Sequence, residues 1–160
     1  MQYTAKEPDR DTAALIRELE PVTKGMGFSI VELSLFRSGK GNARIRLVAA
    51  RDPESKDPAA TIGTDELSRL HRAIVPRLEL ALEGRDLYIE VSSPGTDRLL
   101  KSGTEFRFFK DKAAKCWLKG ADAWERGILR GSDTEKILLE TGEGIKEMKY
   151  ETIAKAKLDG

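Results

Sequence analysis

Beyond Arg98 the chain reads as short runs in which apolar and polar residues alternate: KCWLK, WERGILR, KILLET, IKEMKY and AKAKL, parted by GADA, GSDTE and GEG, with one more turn at Glu151–Ile153. Alternation with period two marks strands that bury one face, and these runs are too short to be stable helices. Five such strands with tight turns, packed into about 55 residues, predict a small closed barrel of the SH3-like or Sm-like kind. EFRFFKDK, just before them, reads as one helical turn.

The first 98 residues follow another pattern. Asp11 is placed to cap a helix whose Leu15, Leu19 and Val22 recur at helical spacing, with Ile16 on the flank; Pro21 should bend or restart it, and Gly25 and Gly27 end it. SIVELSLF (29–36) alternates, with Val31, Leu33 and Leu35 facing one way and Glu32 and Ser34 the other. SGKGN makes a turn, and ARIRLVA returns with Ile45 and Leu47 inward and Arg44 and Arg46 outward, giving a hairpin with one wet face. DPESKDPAAT is an irregular excursion. Thr64 is placed to cap a second helix, with Asp65 and Glu66 in its first turn, a stripe of Leu67, Leu70, Ile74 and Leu78, a kink or a capped restart at Pro76 and a stop at Gly84. LYIEV (87–91) is a third strand. Helix–strand–strand–helix–strand predicts a two-layer α/β sandwich over residues 1–98. The expected fold is therefore α+β, this domain being followed by an all-β barrel over residues 99–160.

The net charge of +1 conceals its layout. Residues 37–51 hold Arg37, Lys40, Arg44, Arg46 and Arg51 and no acid; residues 98–119 hold seven bases against Glu105 and Asp111, among them Lys110, Lys112, Lys115 and Lys119. Each run is locally +5, whereas the stretch that follows the first is acidic. Segregated charge of this kind fits a polyanionic partner, and these nine residues are the candidate RNA contacts; the alternative is a set of solvated strand faces. Aromatic residues are 6% of the chain, and Phe106, Phe108, Phe109, Trp117 and Trp124 read mainly as core or domain-interface residues. That weighs against a general single-strand RNA binder, which needs exposed rings for bases to stack on.

Between the two patterns lies EVSSPGTDRLL. A nucleophilic serine needs a base, and the one histidine, His71, reads as an ordinary helix residue; SSPG also lacks the G-x-S-x-G elbow. One His and one Cys do not supply a metal-ligand cluster. No catalytic constellation, metal site or cofactor site is expected. Ser92 and Ser93 can bond backbone where the strand ends, Pro94-Gly95 can turn the chain, and Asp97 and Arg98 can pin loop amides or a carboxylate. The stretch reads as a rigid elbow between domains. No apolar run approaches the ~20 residues of a membrane span. The N-terminus is polar and acidic, and lone Cys116 cannot form an internal disulfide, so a cytoplasmic setting is expected.

LYIEVSSPGTDR resembles the signature of the bacterial ribosome maturation factor RimP family, a strand ending Glu-Val-Ser-Ser-Pro-Gly, one variable residue, then Asp-Arg. GMGFSIVELSLF, IGTDELSRLHRAI and ERGILRGSDTEKILLE resemble further blocks of that family, so the likeness spans nearly the whole chain. The family usually has Pro after Asp-Arg, where this chain has Leu99, and its loop at DPESKDPAAT is usually shorter. The resemblance implies a non-catalytic, monomeric cytoplasmic assembly factor that binds the free small (30S) ribosomal subunit. Its partners would be rRNA and a small-subunit ribosomal protein near the decoding centre.

Overall fold

The computed structural model describes residues 9–38, 41–55 and 62–160. Among them the chain separates into two compact units that part between Pro94 and Gly95.

The N-terminal unit begins with α1 (Arg10–Gly25), followed by β1 (Phe28–Ser38), β2 (Asn42–Arg51), α2 (Thr64–Ala81) and β3 (Asp86–Ser92). The caps differ from expectation by one or two residues. Asp9 rather than Asp11 caps α1, its carboxylate accepting from the Thr12 N–H at 3.0 Å. Gly63 rather than Thr64 caps α2, its N–H donating to Glu66 Oε1 at 3.3 Å. Neither Pro21 nor Pro76 interrupts its helix. Both prolines, and the Arg17 and Arg72 four residues earlier whose carbonyls lose a donor, are exposed, so water can supply the missing bond.

The sheet order is β1-β2-β3, with β1 and β2 antiparallel and β2 and β3 parallel through α2. Leu15, Leu19, Leu70, Ile74 and Leu78 from the helices share one core with Phe28, Leu33, Ala43, Ile45 and Leu47. Burying each large apolar side chain is worth about 1.5–3 kcal/mol. One strand departs from the expected alternation: the β1–β2 register slips between Ile30 and Glu32. The bulge leaves Val31 out, and Ile30 joins Leu33 and Leu35 against the core instead.

The C-terminal unit starts with a 3₁₀ turn (Gly103–Phe109), then β4 (Ala113–Leu118), β5 (Glu125–Ser132), β6 (Lys136–Thr141), β7 (Gly144–Lys149), a second 3₁₀ turn (Tyr150–Thr152) and β8 (Ile153–Leu158). All five predicted strands are present, as one antiparallel sheet ordered β7-β6-β5-β4-β8. Its core holds Leu100, Phe106, Phe109, Cys116, Leu129, Ile137, Leu139 and Ile153. The segment just after the Pro-Gly pair belongs to this unit. Leu158 N–H donates to Arg98 O (3.0 Å), Leu100 N–H to Ala156 O (2.9 Å) and Gly160 N–H to Thr96 O (3.1 Å), and Leu99 bridges Lys157. The units therefore part four residues before the expected boundary at 98/99.

Candidate nucleic-acid interface

The first basic cluster does not form one patch. Register puts Arg44 between Phe36 and Tyr88, and Arg46 between Ser34 and Glu90. These positions face away from the helices, because their neighbours Ala43, Ile45 and Leu47 lie in the core. Arg44 and Arg46 are exposed, and neither enters an ion pair among the described residues. The Arg44 guanidinium lies 5.0 Å from the centroid of the Tyr88 ring, a cation–π contact that limits how far it wanders.

The rest of that cluster goes elsewhere. Arg37 sits on the helix side of β1 and pairs with Asp11 at 2.9 Å. Arg51 pairs with Glu66 at 2.7 Å and lies over the Phe28 ring. Hydrogen bonding from Arg51, then from the Gly63 N–H, holds the Glu66 carboxyl below its ordinary value. Lys40 lies outside the described residues.

In the C-terminal unit, the ladders set Lys115 beside Arg126 of β5 on one side and Lys157 of β8 on the other, and Trp117 beside Lys155. Like charges directly opposite one another are unfavourable unless an anion sits over them. Arg126 is neutralised by Asp159 at 2.7 Å; Lys115, Lys155 and Lys157 enter no ion pair among the described residues. Lys115 Nζ lies 5.0 Å from the Trp124 ring, which meets Trp117 edge-on at 5.5 Å. Both tryptophans are half-buried, whereas Phe106 and Phe109 are core. Lys110 and Lys119 are exposed, and Lys112 lies over the Phe109 ring. On the inner side of β4, burial pushes the Cys116 thiol up to about 12, with the Glu125 carboxylate adding to it.

In the EVSSPGTDR stretch the chain turns just after the Pro94-Gly95 pair rather than at it. Its turn runs from Gly95 to Arg98, closed by the Arg98 N–H on Gly95 O at 3.2 Å, and Gly95 is not among the glycines with positive φ. Ser92 pairs with Val48 at the end of β3, and Ser93 and Pro94 are half-buried. Asp97 is exposed. Arg98 forks onto a carboxylate, and that carboxylate is Glu105: Nε donates to Oε1 at 2.9 Å and Nη2 donates to the same oxygen. The second carboxylate oxygen accepts the N–H groups of Lys101 and Ser102. Both side chains of this pair are less than a tenth exposed. His71 Nε2 lies 3.2 Å from Ile89 O, an edge-strand contact that fits the helix-residue reading.

Phe36, Tyr88, Glu105, Lys155 and Lys157 were not among the expected site residues. The signal for Lys155 and Lys157 was present, since AKAKL alternates like KCWLK. Which strand they would lie beside depended on a pairing that no local pattern encodes.

Comparison with known proteins supplies the remaining observation. The family model described as RimP N-terminal domain matches residues 18–97. The chain is 31% identical over 140 residues to the ribosome maturation factor RimP of Borrelia garinii subsp. bavariensis, covering 88% of this chain and 90% of that protein. It is 28% identical over 148 residues to that of Borrelia hermsii, covering 92% and 96%.

Proposed function

Because this chain belongs to the RimP family of ribosome maturation factors, we propose that it is a non-catalytic assembly factor that binds the free small ribosomal subunit and promotes its maturation. The relatives carry that name over most of their length. The observation that carries the reading on this chain is Arg44 and Arg46, exposed side by side on the helix-free sheet face and engaged by no carboxylate among the described residues. Guanidinium groups held this way fit rRNA phosphates. The Lys115–Lys157 row offers a second anion contact. On this reading the factor acts as a monomer in the cytoplasm, and a small-subunit ribosomal protein near the decoding centre is a further partner. The C-terminal unit is an SH3-like barrel. That assignment is supported by its antiparallel meander from β4 to β7 with β8 returning beside β4, the 3₁₀ turn before the last strand and the register slips at Leu129/Gly131 and Trp117/Leu118, which bend strands. The segment from Ser92 to Arg98 is the connection between the two units.

The test is pelleting with purified small subunits across a salt series. Arg44→Ala/Arg46→Ala should fold as wild type, bind subunits less tightly and flatten the salt dependence by about one unit of slope for each phosphate that is no longer neutralised. An unchanged slope would remove these residues from the interface. Equal binding to subunits and to bulk RNA would favour a general single-strand RNA binder instead.

A further inference from the structure

We propose that the helix-free face of the three-stranded sheet is a stacking platform for unpaired RNA bases, with the Phe36 ring as one seat and the Arg44–Tyr88 pair as the other. The proposal rests on the rRNA-binding reading above and names which chemical part of the RNA this face takes. Phe36 is 64% and Tyr88 59% exposed, among the largest apolar side chains left in solvent among the described residues. Register sets them in one row on adjacent strands with Arg44 between. Strands lie about 4.8 Å apart, so the two rings stand about 10 Å apart at the backbone. Splayed bases of single strands stack on aromatic rings and on guanidinium planes, and the Arg44 guanidinium already lies over the Tyr88 ring.

The surrounding charge favours base contact over backbone contact alone. The rows on either side carry Asn42 and Asp86, and Ser34, Arg46 and Glu90. Arg44 and Arg46 stand against Asp86 and Glu90, and Glu32 lies one row further along the same face, so the face has no excess of positive charge and is a poor track for a run of phosphates. It does suit one phosphate between two bases, with polar groups at hand for base edges. A duplex would hide its base faces from the rings. An apolar protein segment would meet a guanidinium in the middle of the row.

The test uses the full chain and fluorescence anisotropy with two probes, a 5′-fluorescein-labelled 12-nucleotide oligouridylate and a blunt 12-base-pair RNA duplex, each over a salt series. Phe36→Leu/Tyr88→Leu keeps apolar bulk at exposed positions and removes the rings; circular dichroism and the melting midpoint check the fold. Its affinity for oligouridylate should fall about tenfold or more, with the salt slope and the duplex affinity unchanged. Tyr88→Phe should bind as wild type. Arg44→Ala/Arg46→Ala should flatten the slope. If the Leu/Leu variant matches wild type on oligouridylate while the Arg variant still flattens the slope, the platform is wrong and the rRNA reading stands. If wild type shows no salt-dependent binding to RNA or to subunits, both fall. If Leu/Leu loses subunit pelleting but keeps its oligouridylate affinity, the face holds protein and the proposal is overturned.

Discussion

Glu105 is the side chain on which the start of the C-terminal unit depends. Its carboxylate receives Arg98 and two backbone N–H groups in a place with almost no solvent. Removing one partner of a buried pair leaves the other charge uncompensated, a loss of about 3–5 kcal/mol. Glu105→Ala should therefore cost about that much in urea denaturation, and Glu105→Gln, which keeps the acceptor oxygen, less. Asp97 was expected to share this role. It is exposed, so Asp97→Ala should change stability by no more than about 0.5 kcal/mol, and a loss comparable to that of Glu105→Ala would show that this account has the wrong carboxylate. Cys116 behaves as a small core hydrophobe: fully buried, with its thiol pushed up to about 12, it has almost no thiolate at neutral pH. Native protein should resist iodoacetamide and react only when unfolded, as read by mass spectrometry.

At the scale of elements, strand contact and helix entry carry separate tests. Gly127 in β5 crosses β6 so closely that an added Cβ would stand 2.3 Å from Glu140 O and 3.0 Å from Leu139 Cγ. The obstacle is mainly backbone, which cannot rotate aside, so Gly127→Ala should cost about 1–3 kcal/mol. Gly142, with nothing within 4 Å, provides the control, and Gly142→Ala should leave the midpoint nearly unmoved. At the start of α2, the Glu66 carboxyl is held below its ordinary 4.5 by Arg51 and the Gly63 N–H. A depressed carboxyl stabilises the fold above its unfolded value, and that contribution fades as pH falls through the lower folded value. Melting midpoints taken from neutral pH down to about pH 3 should therefore fall less steeply for Glu66→Gln than for wild type; parallel curves would mean that the Arg51 contact is not formed in solution.

For the whole molecule, the position of the division matters more than its existence. Thr96, Arg98 and Leu100 lend backbone groups to β8 and the segment after it, and Arg98 supplies half of the buried pair. A fragment of residues 95–160 should melt cooperatively at a higher temperature than residues 99–160, which lacks both Thr96 and Arg98. Equal midpoints would place the boundary where the change in sequence pattern suggested. If both units contact the subunit, residues 1–94 and 95–160 should each bind it weakly. Mixing them should not restore the affinity of the intact chain, because the link raises effective concentration.

The number, type and order of the elements were legible in the sequence, as were the inner faces of α2 and β2 and the outward aim of Arg44 and Arg46. Each of these follows from periodicity within one segment, which expresses how a helix or strand must sit to bury its apolar side. The family likeness was legible too, because it lies in contiguous blocks such as LYIEVSSPGTDR. Tertiary structure decided what depends on segments far apart. It turned Ile30 rather than Val31 inward, gave Arg37 to Asp11 and Arg51 to Glu66, and set Lys157 beside Lys115 and Phe36 and Tyr88 on either side of Arg44. It also bound residues 96–100 to a strand more than fifty positions later. Alternation tells a strand which way its side chains point. Register and charge pairing are set by the neighbour it meets, and that neighbour is settled only when distant apolar faces close on a common core.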